Sequence, residues 1–170
     1  MAKVRFTQND VKETKIFAET VRKIDLIDAD YVNSISDEIF KHQPFFLSVL
    51  LGYQMDVSMD EFEEIMKIHF LVWEFFRSNS NLKTKTVTES GYNKIQKRHL
   101  EMLRYSDGES KAEDKLEIFA DDLQKLKSKS LWTAVFLRFN ERPTLLKMDI
   151  QTKAAVMIGL KSFIECFEKI

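Results

Sequence analysis

The sequence predicts an all-α fold, a compact bundle of seven to eight helices forming one domain over residues 1–170, and three observations predict it. Apolar residues recur every three or four positions along most of the chain, the period of a helix with one buried face. Only four glycines and two prolines occur in 170 residues, too little turn punctuation for a protein built of hairpins. Ser, Thr or Asp stand where the periodic segments begin, several with an acidic residue three positions later. Hydrophobic residues make up 44% and charged residues 31%, a balance that supports a folded core rather than disorder. A chain of this size removes about 70% of its extended surface from water on folding, so its core needs neither metal nor disulfide.

The first helix is expected over 8–25, starting after Thr7 with Asp10 three residues on, and carrying Val11, Phe17, Ala18, Val21 and Ile24 on one side. The second, 29–42, follows Asp28 or Asp30 and buries Tyr31, Val32, Ile35 and Ile39. It stops before Gln43, because the residue preceding Pro44 is pushed out of the α region. Pro44 suits the first position of a third helix, 44–56, where its missing N–H costs nothing. Phe45 to Leu51 are apolar nearly all round, which predicts a short buried element.

Ser58 and Glu61 form a capping box for a fourth helix, 59–78. From Ile65 to Phe76 its only polar residues are Lys67, His69 and Glu74. Lys67 and Glu74 share one stripe with Glu63, so this helix should be covered on every other side. Together with the third helix it is expected at the centre. The polar stretch 78–88 reads as a loop. Thr86 and Glu89 suggest a cap for a fifth helix, 88–105, and Asp107–Gly108 a turn after it.

A sixth helix, 111–128, opens on the capping box Ser110/Glu113 and spaces Ala112, Leu116, Phe119, Leu123 and Leu126 four and three apart. Asp121, Asp122, Lys125 and Lys127 should then face water. A seventh, 130–141, carries Leu131, Trp132, Val135, Phe136 and Phe139 and ends before Pro143. An eighth, 149–169, carries Val156, Gly159, Leu160, Phe163 and Phe167 towards Ile170, with Gly159 and Ala155 suited to a close helix approach. The two prolines share a pattern: Phe40 and Phe139 lie four before, Leu47 and Leu146 three after. Equivalence of these contexts would mean two related halves stacked in a short helical repeat.

No motif of established chemistry appears. The residues three before His42, His69 and His99 are Ile39, Met66 and Gln96, so the Glu-x-x-His pairs of di-iron bundles are absent. No two histidines are four apart, the single Cys166 rules out a disulfide within the chain and a thiolate zinc cluster, and the four glycines are isolated from one another. No metal and no cofactor are therefore expected. The carboxylates at Asp60, Glu61, Glu63 and Glu64 serve the start of a helix through its dipole. Cys166 reads as an inert core thiol. His42 sits at a helix C-terminus, where a cationic side chain complements the dipole.

His69 lies about 200° round the helix from Lys67, and His99 falls on the apolar side of its helix with Tyr92, Ile95, Met102 and Leu103. Each reads first as a histidine at the core edge held by a hydrogen bond. If the two meet, His69, Trp73, Tyr92 and His99 would line a pocket for a small molecule or a reaction.

Charge is uneven along the chain: residues 25–76 carry a net −9 and residues 77–104 a net +5. The whole is −1 with a pI near 6.3, and no recognition helix or stacking aromatics accompany the lysines. Nucleic acid is thus a disfavoured partner, and the two segments are expected to neutralise each other within the fold or across a dimer. The N-terminal residues contain no apolar leader core, and the stretch Ile65–Phe76 is too short and too polar to span a bilayer. With one cysteine, a reducing cytoplasm and no membrane are the expectation. The function these residues suggest first is a non-catalytic helical module for protein interaction or self-association. The alternative is a small-molecule binder or enzyme using the pocket near His69 and His99.

Overall fold

In the computed structural model, which describes residues 4–108 and 121–170, the chain is all-helical and no strand occurs among the described residues. Helix α1 (Gln8–Lys23) starts at the Thr7/Asp10 box: Thr7 Oγ1 accepts from the Asp10 amide at 3.2 Å, and Asp10 Oδ2 accepts from the Thr7 amide. A 3₁₀ turn, Ile24–Leu26, replaces the last residues expected to be α-helical. Helix α2 (Ala29–His42) is capped by Asp28, which accepts from the Tyr31 amide at 2.8 Å. Pro44 opens α3 (Pro44–Gly52), which tightens into a 3₁₀ turn at Tyr53–Met55 rather than continuing to residue 56. Helix α4 (Met59–Phe76) has the expected Ser58/Glu61 capping box and ends with its apolar run at Phe76, two residues before the expected 78.

The loop after α4 is not irregular throughout. It contains a 3₁₀ turn, Ser80–Lys83, and is clamped from α2's C-terminus by the buried Gln43 side chain. Gln43 Nε2 donates to the carbonyls of Leu82 (2.8 Å) and Lys85 (2.7 Å), and its Oε1 accepts from the Val87 amide at 2.9 Å. Helix α5 (Glu89–Gly108) is capped by Thr88, not Thr86: Thr88 Oγ1 accepts from the Gly91 amide at 3.1 Å. It runs on through Asp107 and Gly108, where the sequence suggested a turn.

Of the predicted sixth helix, Ser110, Ala112, Glu113, Leu116 and Phe119 lie outside the described residues. Its described part, α6 (121–125), is helical and ends before Leu126. Helices α7 (Lys129–Glu141), α8 (Pro143–Leu146) and α9 (Ile150–Lys169) complete the chain, with Asp149 capping α9 by accepting from the Thr152 amide.

The core is one continuous cluster in which two helices are central. Helix α4 buries Phe62, Ile65 and every residue from Ile68 to Trp73, as expected. Helix α9 is buried without interruption from Gly159 to Phe167, a role the sequence reading gave to α3 instead. Helix α3 keeps Leu51 49% exposed, so it is not enclosed all round. Phenylalanine rings join these elements. Phe163 and Phe167 of α9 lie 4.8 and 5.2 Å from Phe46 of α3, and Phe167 lies 5.4 Å from Phe76 of α4. Gly159 leaves room for two phenols: a Cβ there would stand 2.6 Å from Tyr53 Oη and 3.0 Å from Tyr92 Oη.

The two proline contexts bury different positions. Both prolines open a helix, yet Phe40 is 67% exposed while Phe139 is in the core, and Leu47 is buried while Leu146 is exposed. Their local likeness reflects a shared way of starting a helix at proline.

Candidate functional site

Helix α5 packs along α9 more extensively than any other two described helices meet, and α7 flanks the same side of α9. Between them lies a cavity of about 660 Å³. Its walls are mostly apolar, with Met102 and Leu103 from α5, Trp132 and Phe136 from α7, and Met157 and Ile158 from α9. The spacing explains this. Residues 102–103 of α5 and 157–158 of α9 are apolar positions turned to this side of their helices, and Ala154, one turn before Ile158, supplies space instead of bulk. Phe136 is half exposed and marks the open side.

One end of the cavity is polar. His99 of α5 is 2% exposed, and its Nε2 lies 3.1 Å from Glu165 Oε2 of α9 without the alignment of a good hydrogen bond. Its Nδ1 lies 4.0 Å from Asp122 Oδ2 of α6 and has no hydrogen-bond partner among the described residues. Lys161 of α9 is buried against the Asp122 carboxylate, with its ammonium 5.8 Å from the centre of the Trp132 ring. Arg98 pairs with Glu165 Oε2, and Lys169, 58% exposed, pairs with Glu165 Oε1 at 2.9 Å.

These contacts set the protonation states. Burial, helped by the Lys161 ammonium, lowers the His99 pKa to about 4, so the ring is neutral at pH 7. Burial and the Arg98 charge lower Lys161 to about 8, against the opposing pull of Glu165. Burial would raise Glu165, but hydrogen bonds from Lys169 and Arg98 outweigh it and hold the carboxyl below its ordinary range. Asp122, expected from the sequence to face water, is buried because Lys161 meets it there.

Of the four residues singled out from the sequence, His99 is part of this cavity wall, and His69, Trp73 and Tyr92 are not among its described lining. His69 is fully buried in α4. Its Nδ1–H donates to the Ile65 carbonyl at 2.8 Å, and its ring packs 5.2 Å from Phe46 and 5.9 Å from Tyr53. Burial lowers its pKa to about 4, leaving a neutral core histidine. Trp73 is buried against Phe167. Tyr92 stacks 4.4 Å from Phe163, and its oxygen accepts from Gln96 Nε2 at 3.3 Å.

Sequence reasoning missed Lys161, Asp122 and Trp132. The available signal was in α9, where Lys161 and Glu165 stand four apart on a helix otherwise apolar in that stretch. Cys166 is buried, and burial raises its thiol to about 11, which leaves almost no thiolate at pH 7.

Among the described residues no cluster of three or more His, Cys, Asp and Glu has the geometry to hold a metal, and no helix is long and apolar enough to cross a membrane. Comparison with protein-family models, with curated proteins and with solved structures finds no match to this chain.

Proposed function

We propose that this protein binds a small, largely apolar molecule in the cavity between α5, α7 and α9. The observation that carries this reading is the cavity itself, about 660 Å³ of space walled by apolar side chains with His99 and Lys161 at one end. Ligand pockets run from roughly 300 to 1,000 Å³ and pair apolar walls with a few polar groups that fix orientation. Binding without turnover is favoured because the acid and base groups are committed to one another: Lys161 to Asp122, and Glu165 to Arg98 and Lys169.

The test is a titration with the uncharged fluorophore Nile red against the native protein and Ala154→Trp, which fills the cavity from α9. The expected result is saturable binding to the native chain and at least a tenfold loss, about 1.4 kcal/mol, in a variant of unchanged helical circular dichroism. Equal binding to both proteins, or none to either, contradicts the reading.

The interaction reading keeps a narrower support. Leu51, Met55 and Met59 are 49%, 89% and 73% exposed around the turn from α3 to α4. It predicts an apparent mass that rises with concentration in light scattering, lowered by Met55→Lys.

A further inference from the structure

Resting on the interaction reading of the turn from α3 to α4, and not on the cavity, we infer that this turn docks onto the basic outer face of α5 in a second copy of the chain. Leu51, Met55 and Met59 leave apolar surface in water there, and the two methionines are the more exposed. Asp56 and Asp60 stand beside them, both exposed, and no Lys, Arg or His occurs between His42 and Lys67. Lys67 is itself held by Glu63 and Glu64. In its own stretch of chain the apolar strip therefore has acids beside it and no base.

That border selects among occupants. Two copies meeting turn to turn would bring Asp56 and Asp60 against the same two carboxylates, and like charges so placed are unfavourable. An occupant that offers cations beside exposed apolar surface answers both features, and this chain carries one. Lys94, Lys97 and Arg104 are spaced three and seven apart, so they lie on one side of α5, and all three are exposed. Tyr105, three turns on from Lys94, joins that side and is 65% exposed. Its ring is the kind of surface a methionine thioether packs against. The inward side of α5 carries Tyr92, His99 and Ser106 instead.

The charge that the fold leaves over agrees. Residues 25–76 carry a net −9 and residues 77–104 a net +5, yet among the described residues Arg77 alone bridges the two, to Glu38 and Glu74. Arg98 pairs with Glu165, and Lys97 reaches only Glu101 of its own helix, at 4.0 Å. Among the described residues Asp56, Asp60, Lys94 and Arg104 form no ion pair. Contact between copies gives each of these four a partner of opposite sign.

Sedimentation velocity of the full chain over a concentration series tests this. The native protein should gain mass with concentration, and raising salt from about 0.05 M to about 0.5 M should weaken association about tenfold or more. Asp56→Lys/Asp60→Lys and Lys97→Glu/Arg104→Glu should each associate at least about tenfold more weakly, with unchanged helical circular dichroism. An equimolar mixture of the two should recover to within about threefold of native, because every turn then finds an α5 of opposite charge. Should the lysines unsettle the start of α4, where acids favour the helix dipole, Asp56→Asn/Asp60→Asn removes the attraction without reversing it and should flatten the salt dependence. Association that survives both charge reversals but falls in Met55→Lys overturns the inference and leaves the interaction reading standing. A mixture that stays as weak as its components also overturns the inference. A monomer at every concentration overturns both.

Discussion

His69 and His99 are both buried and neutral, chiefly because burial disfavours the charged ring; at His99 the pull of the Glu165 carboxylate is opposed by the Lys161 and Arg98 charges. The native state therefore resists protonating them, whereas the unfolded chain takes up protons at an ordinary value near 6.5. Stability is complete above about pH 6.5 and is lost as pH falls from there through about 4, because the unfolded state binds more protons in that window. Carboxylates held low by partners, Asp10, Asp25, Asp149 and Glu165, add their own losses only below their ordinary values, near 4. Urea unfolding at a series of pH values should show uptake of about two protons between pH 6.5 and 4.5. His69→Phe, which keeps a ring beside Phe46 and Tyr53, should reduce that to about one. An unchanged pH slope in the variant would show that His69 is not the buried group described. The inward direction of both histidines was legible in the sequence, since position on a helix face follows from spacing. Their separation into a core site and a cavity site was not, because it depends on which helices meet.

At the scale of elements, caps were the most legible signals. Thr7, Asp28, Ser58 and Asp149 each stand where the structure begins a helix, because a short polar side chain there takes up an otherwise unpaired amide. Ends were less legible. Helices α1, α3 and α4 tighten or stop before their expected ends at 25, 56 and 78, since the final turn answers to tertiary contacts as much as to composition. Gln43 is the clearest case of a role invisible in sequence. Next to a proline it reads as a helix terminus, yet its amide satisfies two carbonyls and one amide across a loop forty residues away. Gln43→Ala should cost about 2–4 kcal/mol, because it strands buried peptide groups rather than merely deleting a contact. Hydrogen exchange at the Val87 amide should rise sharply in the variant. A loss under 1 kcal/mol, about half the lower figure, with Val87 still protected would mean the loop is held by something else. The central place of helix α9 was not legible for a related reason: Lys161 and Glu165 interrupt its apolar run, and only their pairing with Asp122, Arg98 and Lys169 lets that side be covered.

For the whole molecule, the opposing charge of residues 25–76 and 77–104 is partly resolved inside the fold. Arg77 of the basic stretch grips Glu38 of α2 through two nitrogens and also pairs with Glu74, which in turn accepts from Tyr31 Oη. Asp25 of the acidic stretch is held instead from α7, by the buried Arg138 at 2.7 Å and by Arg142. The fold class was legible because period, caps and scarce glycine all pointed one way. The cavity was not, because it depends on how α5, α7 and α9 are spaced, and spacing between helices is not written in any one helix's pattern.

The proposed ligand site in this cavity can be tested in place through the methyl resonances of the methionines. Met102 and Met157 line the cavity, whereas Met55 and Met59 lie exposed at the turn from α3 to α4. In protein labelled with ¹³C at the methionine methyls, titration with decanol should shift Met102 and Met157 together and saturably, leaving Met55 and Met59 in place. Shifts at Met55 and Met59 with none at Met102 and Met157 would contradict the account.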